Sequence, residues 1–104
     1  MMLQKKLLQI RALIRLRHYE MSAHATSAHA TEEMAEDNLD IFDVEQSVLN
    51  GEITRIERDD PRGTKYIIEG TAVDQLTPVG VVGRFLGDER YLIITVYEVT
   101  ELER

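Results

Sequence analysis

Apolar residues recur with a helical period along the first seventeen positions. Leu3, Leu7, Ile10 and Ile14 are spaced by four, three and four residues. That spacing places them on one face of a helix with about 3.6 residues per turn. Leu13 and Leu16 widen the face, while Lys5, Lys6, Gln9 and Arg15 lie off it. The pattern predicts a basic amphipathic helix within residues 1–19. The helix is expected to pack on the domain or at a dimer seam; the alternative is binding of a partner or a membrane surface through its basic face.

The period is lost at residues 22–31, where Ser-Ala-His-Ala-Thr occurs twice in tandem. A five-residue repeat fits neither a helix nor a strand, and it is too short to be a solenoid unit. It duplicates one histidine as His24 and His29. Residues 31–50 predict two short helices. Thr31 is placed to cap the first, which ends near Asp37-Asn38. Asp40 is a good N-cap for the second. Leu39 and Val44 suit a hydrophobic staple around that cap. Phe42, Val44, Val48 and Leu49 are expected on its inner face. Asn50-Gly51 ends it, with Gly51 expected in the left-handed conformation.

From residue 52 the pattern changes to strands. Ile53–Arg58, Lys65–Gly70, Val79–Leu86 and Tyr91–Val99 are four such runs. Asp60-Pro61-Arg62-Gly63 suits a type I turn between the first two. Gly87-Asp88 is a hairpin signal between the last two. Leu92–Tyr97 is apolar on both faces, which predicts a central, buried strand. Gly80-x-x-Gly83 lies within a strand run, so it reads as a bulge or close packing rather than a phosphate loop. The fold class is α+β: N-terminal helices packed on a four-stranded antiparallel β-meander. The three parts, 1–19, 22–51 and 52–99, form one domain over residues 1–104, followed by a polar tail.

Composition narrows the classes. A chain of 104 residues holds one modest core, so two-domain dehydrogenases, barrels and kinases are excluded on size. There is no Trp and only two Phe, so that core must be aliphatic. Cys is absent, which removes disulfide and thiol chemistry. Charge adds an asymmetry. Residues 1–19 hold five basic side chains and no acid; with the whole chain at −7, the remainder carries −12. The longest uncharged run near the N-terminus is Leu7–Ile10, too short for a secretory signal or a membrane span. The protein is expected in the cytoplasm and off the membrane. No P-loop, His-Glu-x-x-His, Gly-x-Ser-x-Gly or dinucleotide fingerprint occurs, and no cofactor is implied. His29 and Glu33 share helical spacing, but the acids around them read as a solvated face rather than a metal site.

Five short motifs stand in order. They are His29-Ala-x-Glu-Glu-Met34, Asp43-Val44-Glu45, Asn50-Gly51-Glu52-Ile53, Lys65-Tyr66-x-x-Glu69-Gly70 and Ile94-Thr95-Val96-Tyr97. Together they resemble a family of small prokaryotic proteins called domain of unknown function 4258, over roughly residues 18–98. The resemblance implies kinship with the RelE-like toxins and the wider ribonuclease group that includes barnase and colicin nucleases. That is a statement about fold, and fold does not establish function.

A metal-independent ribonuclease needs a base for the ribose 2′-hydroxyl, an acid for the leaving oxygen and a cation for the phosphate. On that reading His29, or its duplicate His24, is the base or acid. Lys65, Arg55, Arg58 and Arg84 are available for phosphate. Thr95 and Tyr97 share one face of the last strand, where RelE-like enzymes carry their working groups. The residues to test are therefore His24, His29, Lys65, Arg84, Thr95 and Tyr97. Each also has a structural reading. The histidines suit a helix surface or cap, Thr95 and Tyr97 suit β-formers facing the helices, and the arginines suit cross-strand pairs with Glu52, Glu57 and Glu69. The acidic charge balance opposes RNA binding. Two functions remain open: a RelE-like toxin-type endoribonuclease with a cognate antitoxin, active or degenerate, and a non-catalytic interaction module. The second would form a homodimer or hold a partner through the basic helix.

Overall fold

The computed structural model describes residues 2–22, 39–87 and 89–99. The tandem repeat after Ser22, with His24 and His29, the first of the two short helices and the polar tail lie outside those residues.

Helix α1 spans Met2–Arg15. Leu7, Ile10, Leu13 and Ile14 are buried, as their spacing requires. The helix closes two residues earlier than the periodicity suggests. The amide of His18 donates to the Leu13 carbonyl and that of Arg17 to Ile14, at 2.9 and 3.0 Å. Arg17 sits at φ 59°. This is a Schellman closure with an arginine where glycine is usual. It turns the chain directly into strand β1, Tyr19–Met21.

Helix α2 spans Ile41–Asn50. Its start is a capping box: the Asp40 carboxylate accepts from the Phe42 and Asp43 amides, and Asp43 accepts from the Asp40 amide. The other Asp43 oxygen accepts from the Val73 amide at 3.0 Å, tying this end to the loop before β4. Leu39 and Val44 are both buried, as a staple needs. Two expectations fail here. Phe42 is 56% exposed, because α2 packs through Val44, Ser47 and Val48, and Phe42 lies off that stripe. Gly51 is extended, at φ −91°, rather than left-handed. Glycine is required there for space: a Cβ would overlap the Ser47 and Glu69 carbonyl oxygens.

The remaining strands are β2 (Glu52–Glu57), β3 (Lys65–Thr71), β4 (Pro78–Leu86) and β5 (Arg90–Glu98). They form the expected meander. The sheet, however, has five strands, in the order β1-β5-β4-β3-β2, and is mixed. β1 runs parallel to β5, with Tyr19 opposite Tyr91. The expectation of a purely antiparallel four-stranded sheet is corrected on this point. Three residues are too few to show alternation, and their partner lies far along the chain. β5 is interior, but the middle strand is β4. The predicted Asp60–Gly63 turn is present, with the Gly63 amide on the Asp60 carbonyl at 3.0 Å.

Both helices cover one face of the sheet. Val44 and Val48 of α2 and the buried side chains of α1 meet Tyr66, Ile68, Val79, Val81, Tyr91, Ile93 and Val96 in a single core. Two polar contacts lock the layers. The Arg11 guanidinium donates to the Gly51 and Val48 carbonyls at 2.6 and 3.3 Å, and so caps the negative end of α2. The Tyr19 hydroxyl donates to Glu45 at 2.6 Å. Burial, and then that bond, push the Tyr19 phenol above the usual tyrosine range. Neither described helix is long and apolar enough to cross a membrane.

Candidate functional site

Strand alternation assigns every side chain of the sheet to one of two faces. Ile68, Val81 and Val96 are aligned across β3, β4 and β5 and point to the helices. Their neighbours therefore point away. Two rows cross this second face. One runs Glu52, Glu69, Gly80, Tyr97, and the other Arg55, Ile67, Val82, Thr95. Lys65, opposite Glu57, and Arg84, opposite Leu92, lie on the same face. No described helix covers it.

Four of the six residues singled out from the sequence thus share one face: Lys65, Arg84, Thr95 and Tyr97. Thr95 and Tyr97 face away from both described helices, α1 and α2. His24 and His29 lie outside the described residues. The four do not meet in one pocket. Tyr97 lines a cleft of about 520 Å³ together with Thr54, Arg55, Ile67 and Glu69. Lys65 lines a separate depression with Glu57, Asp59, Asp60, Pro61 and Arg62. Arg84 reaches along the face to donate to the Arg62 carbonyl at 3.2 Å.

Gly80 decides how Tyr97 enters the cleft. A Cβ on Gly80 would collide with the Tyr97 ring, and the nearest ring atom would be Cζ. The ring therefore lies across β4, with its hydroxyl carried past that strand toward β3, where Glu69 stands in the same row. Ile67 forms the apolar floor and is only 2% exposed, although it faces away from the helices. Gly83 has the matching role on the other face, beneath the Tyr91 ring, beside the bulge at Ile94 of β5. The Gly80-x-x-Gly83 spacing is thus a pair of ring seats.

The cleft joins a carboxylate, a guanidinium, a phenol and the Thr54 hydroxyl. The bulge in β2 between Ile53 and Arg55 sets Thr54 beside Arg55 at the rim. Arg55 also pairs with Glu57 at 3.5 Å, and Lys65 shares that same Glu57 at 3.6 Å. The pairing expected of the arginines across strands takes another form: Arg55 meets Glu57 along its own strand, and the pair that crosses from β3 to β2 is Lys65 with Glu57, with Asp60 of the turn beside it. At the turn below, the Arg62 guanidinium holds the Asp60 carboxyl down to about 2. Among the described residues no group of three His, Cys, Asp or Glu gathers to hold a metal.

Residues 26–98, more than half of the chain, match the family described as domain of unknown function, DUF4258. The chain belongs to that family. No curated protein and no solved structure matches the chain. Within the matched span, the family-like motifs now divide by role. Asp43, Val44, Gly51 and Gly70 serve folding. Asp43 completes the cap, Val44 fills the core, and a Cβ on either glycine would strike the backbone around Ser47. Glu69, Thr95 and Tyr97 have no comparable duty in the helix-facing core and stand on the face away from α1 and α2. Glu69 escaped selection from the sequence, because a glutamate on a strand reads as a solvated residue. Its signal was its place three residues after Tyr66, in a quoted motif. The 4258-family span begins after α1 and β1, yet both pack into the same core and sheet.

Proposed function

We propose that this member of the 4258 family is a metal-independent endoribonuclease of the toxin type, working on the open face of its sheet. One observation carries the reading: Glu69, Arg55 and Tyr97, a base, a cation and a hydroxyl donor, line one cleft. In the proposed step the Glu69 carboxylate takes the proton of a ribose 2′-hydroxyl. The 2′-oxygen attacks phosphorus, and the bond from phosphorus to the 5′-oxygen breaks. The Tyr97 phenol protonates that leaving oxygen. Arg55 holds the phosphate oxygens as charge builds on them. The products are a 2′,3′-cyclic phosphate and a 5′-hydroxyl end, and Glu69 and Tyr97 then exchange their proton through water. Thr95, Lys65 and Arg84 extend the surface along which a strand of RNA would lie. A net charge of −7 works against general affinity for RNA, so recognition on this reading is local to the face.

The test is cleavage of end-labelled RNA by the purified full chain in the presence of EDTA. Cyclic-phosphate products are expected. Glu69→Gln and Arg55→Ala should each lower the rate by at least about 100-fold, the scale of general-base and charge-stabilising groups. Tyr97→Phe should do the same while keeping the ring on Gly80. A companion chain with His24→Ala and His29→Ala reports whether either histidine contributes. No cleavage by the wild-type chain, or cleavage unchanged by Glu69→Gln and Tyr97→Phe, refutes the proposal.

A further inference from the structure

The outer surface of α1 is unlike the rest of the molecule. Leu7, Ile10, Leu13 and Ile14 are spent on the core. A second apolar line remains on the solvent side: Leu8, Ala12 and Leu16, each four residues from the last. Leu8 is 52% and Leu16 63% exposed. The Leu16 amide still donates to the Ala12 carbonyl at 3.0 Å, so all three stand on consecutive helical turns. Lys5 and Arg15 flank this line on opposite sides, and neither makes an ion pair among the described residues. The other basic residues of positions 1–19 are engaged elsewhere. Arg11 caps α2, Lys6 lies over the Phe85 ring at 5.3 Å, and Arg17 pairs with Glu45.

We infer that this line is a docking surface for an acidic amphipathic helix of a partner protein. A ridge of residues four apart is the surface that packs into the groove of another helix. Large apolar side chains repeated along an exposed ridge mark an interaction site more than a scattered leucine does. The charges select the occupant. Residues 1–19 carry five cations and no acid, so two copies meeting through α1 would set like charge against like. An anionic lipid surface would meet the remaining −12 of the chain, and the line is too narrow for an interfacial helix because the broad apolar face is already buried. A helix with leucines on one face and glutamates beside them satisfies both the ridge and its flanks. This surface lies on the helix side of the sheet, opposite the open-face cleft, so the inference stands whether or not RNA is cleaved.

The experiment uses the full chain and two synthetic helical peptides. Both carry leucine at positions three and four residues apart; one has glutamate at the flanking positions and the other lysine. Titration calorimetry at low and high salt measures binding. The glutamate peptide should bind in roughly the micromolar range and lose affinity with salt, and the lysine peptide should not bind. Leu8→Gln with Leu16→Gln should weaken binding by at least about tenfold. Lys5→Glu with Arg15→Glu should exchange the peptide preference. These side chains are exposed, and an unchanged circular dichroism spectrum confirms that each variant folds. Equal binding of the two peptides, or no effect of the leucine changes, overturns the inference. So does a wild-type dimer in sedimentation that the leucine changes dissolve, which would give the line to a second copy. Binding to phosphatidylglycerol vesicles that the same changes abolish would also overturn it.

Discussion

Tyr91 offers a sharp test of the packing between helices and sheet. Its ring is fully buried and stacks edge-on against Phe85, with centroids 5.4 Å apart. Its hydroxyl is buried too and has no hydrogen-bond partner among the described residues. Burial pushes this phenol above the usual tyrosine range. Tyr91→Phe keeps the ring and removes only the oxygen. A buried hydroxyl left unpaired costs about 1–3 kcal/mol. The oxygen leaves a void of roughly 10 Å³, which at about 24 cal/mol per Å³ takes back only ~0.2 kcal/mol. The expected result is a gain of about 1–3 kcal/mol. For a domain of about 100 residues that raises the melting temperature by roughly 4 °C or more. Urea unfolding followed by circular dichroism measures the free energy, and calorimetry measures the temperature. A variant no more stable than the parent would show that the hydroxyl is satisfied in the native protein.

Three further outcomes follow from named contacts. Arg17→Gly should stabilise the fold by about 1 kcal/mol, because glycine adopts positive φ without the cost borne by arginine. The ion pair it removes, at 3.7 Å with the Arg17 side chain 70% exposed, adds little; a lower melting temperature would contradict this. Arg11→Ala should cost about 2 kcal/mol in urea unfolding, since it uncaps α2 and strands the Gly51 and Val48 carbonyls; a change under 0.5 kcal/mol (on the order of experimental scatter) would deny the cap. Asp60 should titrate by carbon-detected NMR at about 2 and return toward about 3.9 in Arg62→Ala. Its folded-state value is depressed, so its contribution to stability is present above about pH 4 and fades as pH falls toward 2. An unshifted Asp60 in the parent chain would remove that window.

Local signals carried most of the element assignment. The capping box needed only Asp40 and Asp43, and the Asp60–Gly63 turn only its own four residues. Both lie within a few residues of themselves, where sequence spacing and spatial distance are the same thing. The misses share the opposite property. β1 exists because Tyr19–Met21 can pair with a strand some seventy residues later. Phe42 is exposed because the sheet meets α2 on a stripe set by Val44 and Val48. Gly51 is glycine because another strand's backbone passes where a Cβ would be.

The same division holds for the candidate site. The alternation of Thr95, Val96 and Tyr97 showed that the two polar residues share a face, since strand geometry is local. It could not say which face, because that depends on where the helices land. Nor could it bring Arg55 and Glu69 to Tyr97, since that takes three strand pairings in register and a glycine at position 80 to let the ring cross β4. The sequence alone determined the class of fold, the helix-then-meander order, the turns, the family and the division of charge between a basic helix and an acidic body. Tertiary structure decided the fifth strand, which face of the sheet the described helices cover and the meeting of a carboxylate, a guanidinium and a phenol in one cleft. The first set depends on periods of about two and 3.6 residues written along the chain. The second depends on which distant surfaces the burial of one aliphatic core brings together.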